Sequence, residues 1–217
     1  MSRFRFYILP RICLGLSVLL LLFGLWTLWL SLERPMPGWE LACRQAETAS
    51  LLPHGVTVAQ AGVPGPYAGI DAWAVRRAGD QLSLVLLTRS LGPLWRSENV
   101  FSLDPAEGMV LLTPDVTPVD DDPFTHRYCV TPVALYVPNG AVRVEVEAVW
   151  LGDWENADRA RAERGVTAAL EPMGGGVWAA SAILVSAPEQ YPNLGHASLA
   201  VRCRAYDGAG ALLAQCS

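Results

Sequence analysis

The sequence predicts a mainly-β domain, an antiparallel β-sandwich with one or two short helices, carried on a single N-terminal transmembrane helix. Three observations lead there. Cys13–Leu32 is an apolar run of twenty residues without a formal charge. Beyond it, short segments of apolar or alternating residues are separated by Gly, Pro, Asn and Asp, the punctuation of an all-β fold. Four of the five cysteines lie past the apolar run, an even number of the kind that staples exported domains.

The apolar run comes first. At about 1.5 Å per residue, twenty helical residues span roughly the 30 Å hydrocarbon core of a bilayer. A cleavable signal has a shorter apolar region followed by small residues. Here bulky Trp29, Leu30 and Leu32 surround Ser31, and the alternative of a signal with a poor cleavage site is the weaker reading. A lipoprotein site at Cys43 is disfavoured because Glu40 stands where an apolar residue is needed. Arg3, Arg5 and Arg11 precede the run, whereas Glu33 and Arg34 cancel after it. The positive-inside rule then places residues 1–11 in the cytoplasm as a short tail, 12–32 across the inner membrane, and the rest in the periplasm or outside. Trp26, Trp29 and Trp39 suit the outer interface. Along the helix, Cys13, Ser17, Leu20, Gly24, Thr27 and Ser31 recur at alternating spacings of four and three. Small, weakly polar residues in that pattern make a seam for a partner helix, with Ser17, Gly24, Thr27 and Ser31 as its packing residues.

Residues 33–53 read as a juxtamembrane linker with a short helix over 38–52, whose apolar face is Trp39, Ala42, Cys43, Ala46 and Ala49, stopped by Pro53. Residues 54–217 read as the β domain. Strands are expected over 56–60, 69–77, 81–89, 99–103, 109–113, 129–137, 141–151, 177–186 and 197–206. The clearest alternation is in 141–151, where Val142, Val144, Val146 and Ala148 share one face and Arg143, Glu145 and Glu147 the other. A surface helix is expected over 153–172 with Asp153 as its N-cap, followed by a flexible glycine joint, and 112–128 reads as a long polar loop.

The C-terminus closes as a hairpin. A strand ending in Tyr206–Asp207, a Gly turn and an apolar strand resembles the last hairpin of bacterial immunoglobulin-like domains, over about twenty residues. The resemblance implies an immunoglobulin-like type of sandwich. A three-residue turn over 208–210 pairs Asp207 with Ala211 and sets Cys203 opposite Gln215, so a Cys203–Cys216 bond needs another register. The disulfide candidates are Cys43, Cys129, Cys203 and Cys216, with three possible connectivities.

Residues 33–217 hold thirteen arginines, no lysine and all twenty-one acidic residues, a net charge of −8. That excludes a nucleic-acid partner, whose backbone needs clustered cations. No nucleophile elbow, phosphate loop, dinucleotide fingerprint or metal-spaced Cys/His set occurs. Asp120, Asp121, Asp122 and His126 are adjacent, but consecutive carboxylates diverge and suit a solvated loop better than a calcium site. No catalytic residue, cofactor or metal is therefore assigned. Trp95 and Trp154, outside the expected strands, are candidate anchors for a protein partner. The expected role is that of a bitopic envelope protein, a non-enzymatic scaffold or assembly subunit. Its partners would be the lipid bilayer and proteins met through the membrane helix and the exported domain. The rivals are a ligand-binding module with a dry pocket between its sheets and an exported hydrolase using the 112–128 loop.

Overall fold

The computed structural model describes residues 2–31, 34–63, 69–119, 127–152, 155–180, 182–187 and 198–217, with side chains from Arg11 onward, Leu91 excepted. Helix α1 (Ser2–Ser31) contains the apolar stretch Arg11–Ser31, with mean hydropathy 2.2 and none of it buried against the body. It is long and apolar enough to cross a membrane. Helix α2 (Trp39–Ala49) follows, and then the chain is mainly strand, arranged in two antiparallel sheets.

The first sheet is a meander of β1 (Val56–Gly62), β2 (Ala72–Ala78), β3 (Gln81–Leu91) and β4 (Leu94–Leu103). Alternation assigns its two faces. Trp73, Val75, Leu82, Leu84 and Leu86 point to the second sheet and meet Val133, Leu135, Val177 and Ala179 there. Ala74, Val85 and Leu87 point the other way, onto Ala42, Cys43 and Ala46 of α2. Four of the five leading core leucines and valines of β3 are fully enclosed, because this strand is covered on both sides.

The second sheet holds β5 (Val110–Pro118), β6 (Arg127–Leu135), β7 (Arg143–Leu151), β8 (Val166–Gly174), β9 (Val177–Ala179), β10 (Ile183–Ser186), β11 (Ser198–Tyr206) and β12 (Leu212–Cys216). It curls into a half-barrel around a core of its own, in which Val144, Val146 and Ala148 meet Val130, Leu170 and Cys203. The alternation read in β7 holds for those three residues, while Val142 lies before the strand and is exposed. Pro132 organises the turn of the sheet. It has no N–H to give a neighbour. On one side β5 bulges between Leu112 and Asp115; on the other, β10 pairs with β6 before Pro132 and β9 after it.

Several expectations are corrected. The described residues of the expected 112–128 loop are strand rather than loop: β5 runs to Pro118, opposite Tyr128, and Val119 still donates to the Arg127 carbonyl. Pro114 sits in the bulge, where a strand tolerates proline. Asp120, Asp121, Asp122 and His126 lie outside the described residues. The helix expected over 153–172 shrinks to α3 (Ala157–Arg164). Its cap is Asn156, which accepts from the Asp158 and Arg159 N–H groups at 3.0 Å each. After Gly165 the β-branched Val166 and Thr167 enter β8. The glycine joint is the tight β8–β9 turn, in which Gly174, Gly175 and Gly176 all take positive φ. The strand expected over 177–186 is two strands that meet different halves of β6.

Tyr136 ties the sheets together. Its hydroxyl accepts from the Leu82 N–H at 2.7 Å and donates to the Leu103 carbonyl at 2.9 Å. Tyr136→Phe leaves that amide without its partner, and should destabilise the protein by about 1–3 kcal/mol in urea unfolding followed by tryptophan fluorescence. A second tie fixes α3. Glu155 accepts from Arg164, at 2.7 Å in one of two bonds, and from the Gly152 N–H at 3.0 Å. The Arg164 bonds, then that amide, hold its carboxyl down at about 2, against the opposing push of burial. A carboxyl lowered on folding stabilises above its ordinary value near 4.5, and that contribution fades as pH falls from there towards about 2. Glu155→Gln should flatten the melting-temperature profile across that window relative to the parent; parallel profiles would show that the pair contributes nothing.

Candidate functional site

The seating of α2 on the first sheet is built on one buried cation. Arg76 on β2 shares the outward face with Ala74 and lies beneath α2, fully enclosed. Its five N–H groups find five acceptors. Nε donates to Glu47 at 2.8 Å and Nη1 to Glu40 at 2.6 Å and Thr57 at 2.9 Å. Nη2 reaches Glu47 at 3.3 Å and the Gly55 carbonyl at 2.5 Å. Glu47, also fully buried, accepts from the Gly55 N–H at 3.1 Å and contacts His54 at 3.3 Å. Burial opposes the guanidinium's charge, but the two carboxylates outweigh it and raise the Arg76 pKa. Burial likewise pushes Glu40 up, but the bond and charge of Arg76, with help from Thr57 and Arg44, together outweigh it and leave Glu40 lowered. Gly55 permits the arrangement: a Cβ there would lie 3.0 Å from the Arg76 Cβ and 3.1 Å from the Arg77 backbone.

Beside this latch a cavity of about 290 Å³ opens on the outer face of the first sheet, not between the sheets. Its walls include Trp39, Trp95, Leu87 and Arg89, over small residues Gly62, Ala72 and Ala74. The Arg89 guanidinium sits 5.0 Å from the centre of the Trp95 ring, an attractive cation–π geometry. Its backbone N–H donates to Asp71 at 2.6 Å. A cation against an indole face suits a polar or anionic group on a small ligand; among the described residues, no nucleophile–base pair lines the cavity.

Trp95 is therefore placed differently from the expected free anchor. It lies in β4, is half-buried, and exchanges backbone hydrogen bonds of 2.7 and 2.8 Å with Met36. Trp154 lies outside the described residues. On α1, Ser17 and Gly24 are exposed, and a Cβ on Gly24 would meet nothing within 4 Å. The Thr27 hydroxyl donates to the Gly24 carbonyl at 2.9 Å and Ser31 to the Leu28 carbonyl at 2.7 Å. Those hydroxyls are satisfied within their own helix, so the seam offers close approach rather than a hydrogen-bond demand.

The structure shows no disulfide bond among the five cysteines. Cys43 on α2 packs against the first sheet, and burial pushes its thiol up to about 12. Cys129 lies in β6, in register with Thr117 and Leu184, and burial followed by the nearby Asp115 charge pushes it up. Thiols raised in this way are poor nucleophiles. The structure does not bring Cys43 and Cys129 together. It does bring together Cys203 and Cys216, which face each other across β11 and β12. The register read from the turn is correct up to Tyr206 and Leu212. A bulge at Leu213 then adds one residue and moves Cys216, not Gln215, opposite Cys203.

Three residues escaped the sequence reading. Glu47 lies on the helix face assigned to Ala49, which is exposed. Its signal was the spacing Glu40, Cys43, Glu47, which puts two acids on the buried side. Arg76 alternates with Ala72 and Ala74 and so belonged to a covered face. Asp115 stands at the β5 bulge, its carboxyl raised by burial although Gly69 and Val116 amides favour its charge. Among the described residues, no three His, Cys, Asp or Glu side chains converge as a metal site.

Removing one partner of a buried ion pair leaves the other uncompensated, whereas replacing both by apolar groups is close to neutral. Glu47→Ala should cost about 3–5 kcal/mol in urea unfolding of the detergent-solubilised protein, and Glu47→Leu with Arg76→Met should recover most of it. Comparison of the chain with protein-family models, curated proteins and solved structures finds no match.

Proposed function

We propose that this chain is a bitopic envelope protein, a non-enzymatic scaffold or assembly subunit that holds a partner-binding β domain at a fixed place on the outer surface of the inner membrane. The observation that carries the reading is the coupling between the apolar helix and the body. Ser31 ends α1, and only five residues later Met36 is already paired with Trp95 of β4. Five extended residues cover at most about 17 Å. On this reading the end of the first sheet that bears Trp95 and Arg89, with Trp39 of α2 beside it, lies close to the head-group layer. Trp29 Nε1 also donates to the Pro35 carbonyl at 3.2 Å. An enzyme that must search for a soluble substrate gains from a long, loose tether; a subunit that presents a surface at a set height gains from a short, paired one.

The charge asymmetry of Arg3, Arg5 and Arg11 against Glu33 and Arg34 supports a cytoplasmic N-terminus and a periplasmic or extracellular body. The exposed small-residue seam of α1 supports docking of that helix on another membrane helix. We also retain the immunoglobulin-like sandwich as the finer description of the body, supported by the face-to-face contact of Leu82 and Leu84 with Val133 and Leu135.

A second reading, a membrane-tethered ligand-binding module, is favoured by the Trp39–Trp95–Arg89 cavity. The two readings separate at the helix. Gly24→Leu or Ser31→Leu should reduce the recovery of the native complex from gently solubilised membranes several-fold on blue-native gels. Leu22→Ala should leave it unchanged. Equal behaviour of all three variants removes the packing face and with it the scaffold reading.

A further inference from the structure

We propose that Cys203 and Cys216 are joined by a disulfide that staples the last strand to the body, while Cys43 and Cys129 remain thiols. The pairing rests on register. The 207–211 turn by itself would leave Cys203 opposite Gln215 and turn Cys216 to the other face of the sheet. The bulge between Ala205 and Tyr206 on one strand, and Ala214 and Leu212 on the other, inserts Leu213 and corrects the parity by one residue. Directly opposed residues of an antiparallel pair have Cα atoms about 4.5–5.5 Å apart, inside the range a disulfide bridges. The two sulphurs already interact directly. No comparable partner faces Cys43, which packs on Ala74, Val85 and Leu87, or Cys129, whose register neighbours are Thr117 and Leu184.

The two thiols differ in a way that suits oxidation by exchange. Cys203 is fully buried, whereas Cys216 is half-exposed on the final strand. Hydrogen bonding from Cys203 lowers the Cys216 thiol against the push of burial, and the Leu111 amide of β5 assists. The same contact raises Cys203. Cys216, as thiolate, attacks one sulphur of an oxidised dithiol carrier, and the carrier's second sulphur leaves as a thiolate. Cys203 then gives up its proton and attacks the Cys216 sulphur of the mixed disulfide, releasing the carrier's first sulphur. The protein loses two hydrogens, and the carrier's disulfide becomes two thiols.

The staple has a structural purpose. β12 is five residues long, pairs only with β11 along its length, and exposes Leu212 and Leu213. A short terminal edge strand frays unless it is tied.

Formation of the bond in cells rests on the outward orientation proposed above, so the test has two arms. In the first, the purified full chain is reduced, oxidised with glutathione disulfide in detergent, alkylated and digested with trypsin, which cuts between the two cysteines at Arg204. The expected product is residues 203–204 linked to 205–217, lost on reduction, with Cys43 and Cys129 alkylated. Alkylation of both Cys203 and Cys216, or a link from either to Cys43 or Cys129, overturns the pairing. Cys216→Ser should leave Cys203 unlinked, and Cys203→Ser serves as the reciprocal control should the first variant misfold. In the second arm, cells are quenched with acid before alkylation. A linked pair there supports both pairing and export. A pair that is reduced in cells yet links with glutathione disulfide keeps the pairing and overturns the orientation.

Discussion

The way α2 lies on the first sheet depends on a single guanidinium being fully satisfied where water cannot reach it. Arg76 comes from β2, yet its acceptors come from α2, from the segment before β1 and from β1 itself. Bringing a charge out of water is expensive, and the expense is offset only when every donor is matched and counter-charges are close. Five matched donors meet that condition. The apolar part of the α2 contact is small: Ala42, Cys43 and Ala46 offer little shape to choose one rotation of the helix over another. The carboxylates of Glu40 and Glu47, about two turns apart on one face, select it. Apolar burial holds the helix on the sheet, and the ion pair decides how it lies.

The two sheets divide the labour. The four-stranded meander is covered on one face by α2 and on the other by the half-barrel, so its central strand is nearly continuous in apolar residues. The half-barrel instead closes on itself. In β7 and β11 it keeps a strict inner row, Val144, Val146 and Ala148 opposite Cys203 and Ala205, and an outer row that is mostly charged. On that outer row Arg202 and Glu147 face each other across β11 and β7, 2.6 Å apart at their closest. Cross-strand pairs of this kind reinforce register without contributing much to stability.

Alternation made most strands readable, because a half-buried strand carries its environment in every second residue. It failed where one local signal stood for two structures. Prolines at 114 and 118 look like a loop until a bulge and a strand end are known to receive them. Ala168 and Ala169 look helical until β7 is known to pair with them. Three glycines look flexible until their positive φ angles close a hairpin. The candidate site was legible only in parts. An arginine in a strand and two acids on a helix are ordinary alone, and their meaning comes from a contact across 29 residues. The parity change at Leu213 left no trace in composition, since Leu-Leu-Ala-Gln-Cys reads the same with or without a bulge.

The short pairing of Met36 with Trp95 redraws where the folded unit begins. Seen as sequence, the β domain starts near residue 54, and the stretch before it is a stalk. Seen as packing, β4 is an edge whose first rung is filled by the stalk, and Ala74, Val85 and Leu87 are roofed by α2. A fragment cut at the first strand would lose its roof, bare a strand edge to other chains and leave a buried cation beside empty space. The smallest portion that keeps both its roof and its edge rung starts upstream of Met36, so the stretch that reads as a stalk is part of the folded unit.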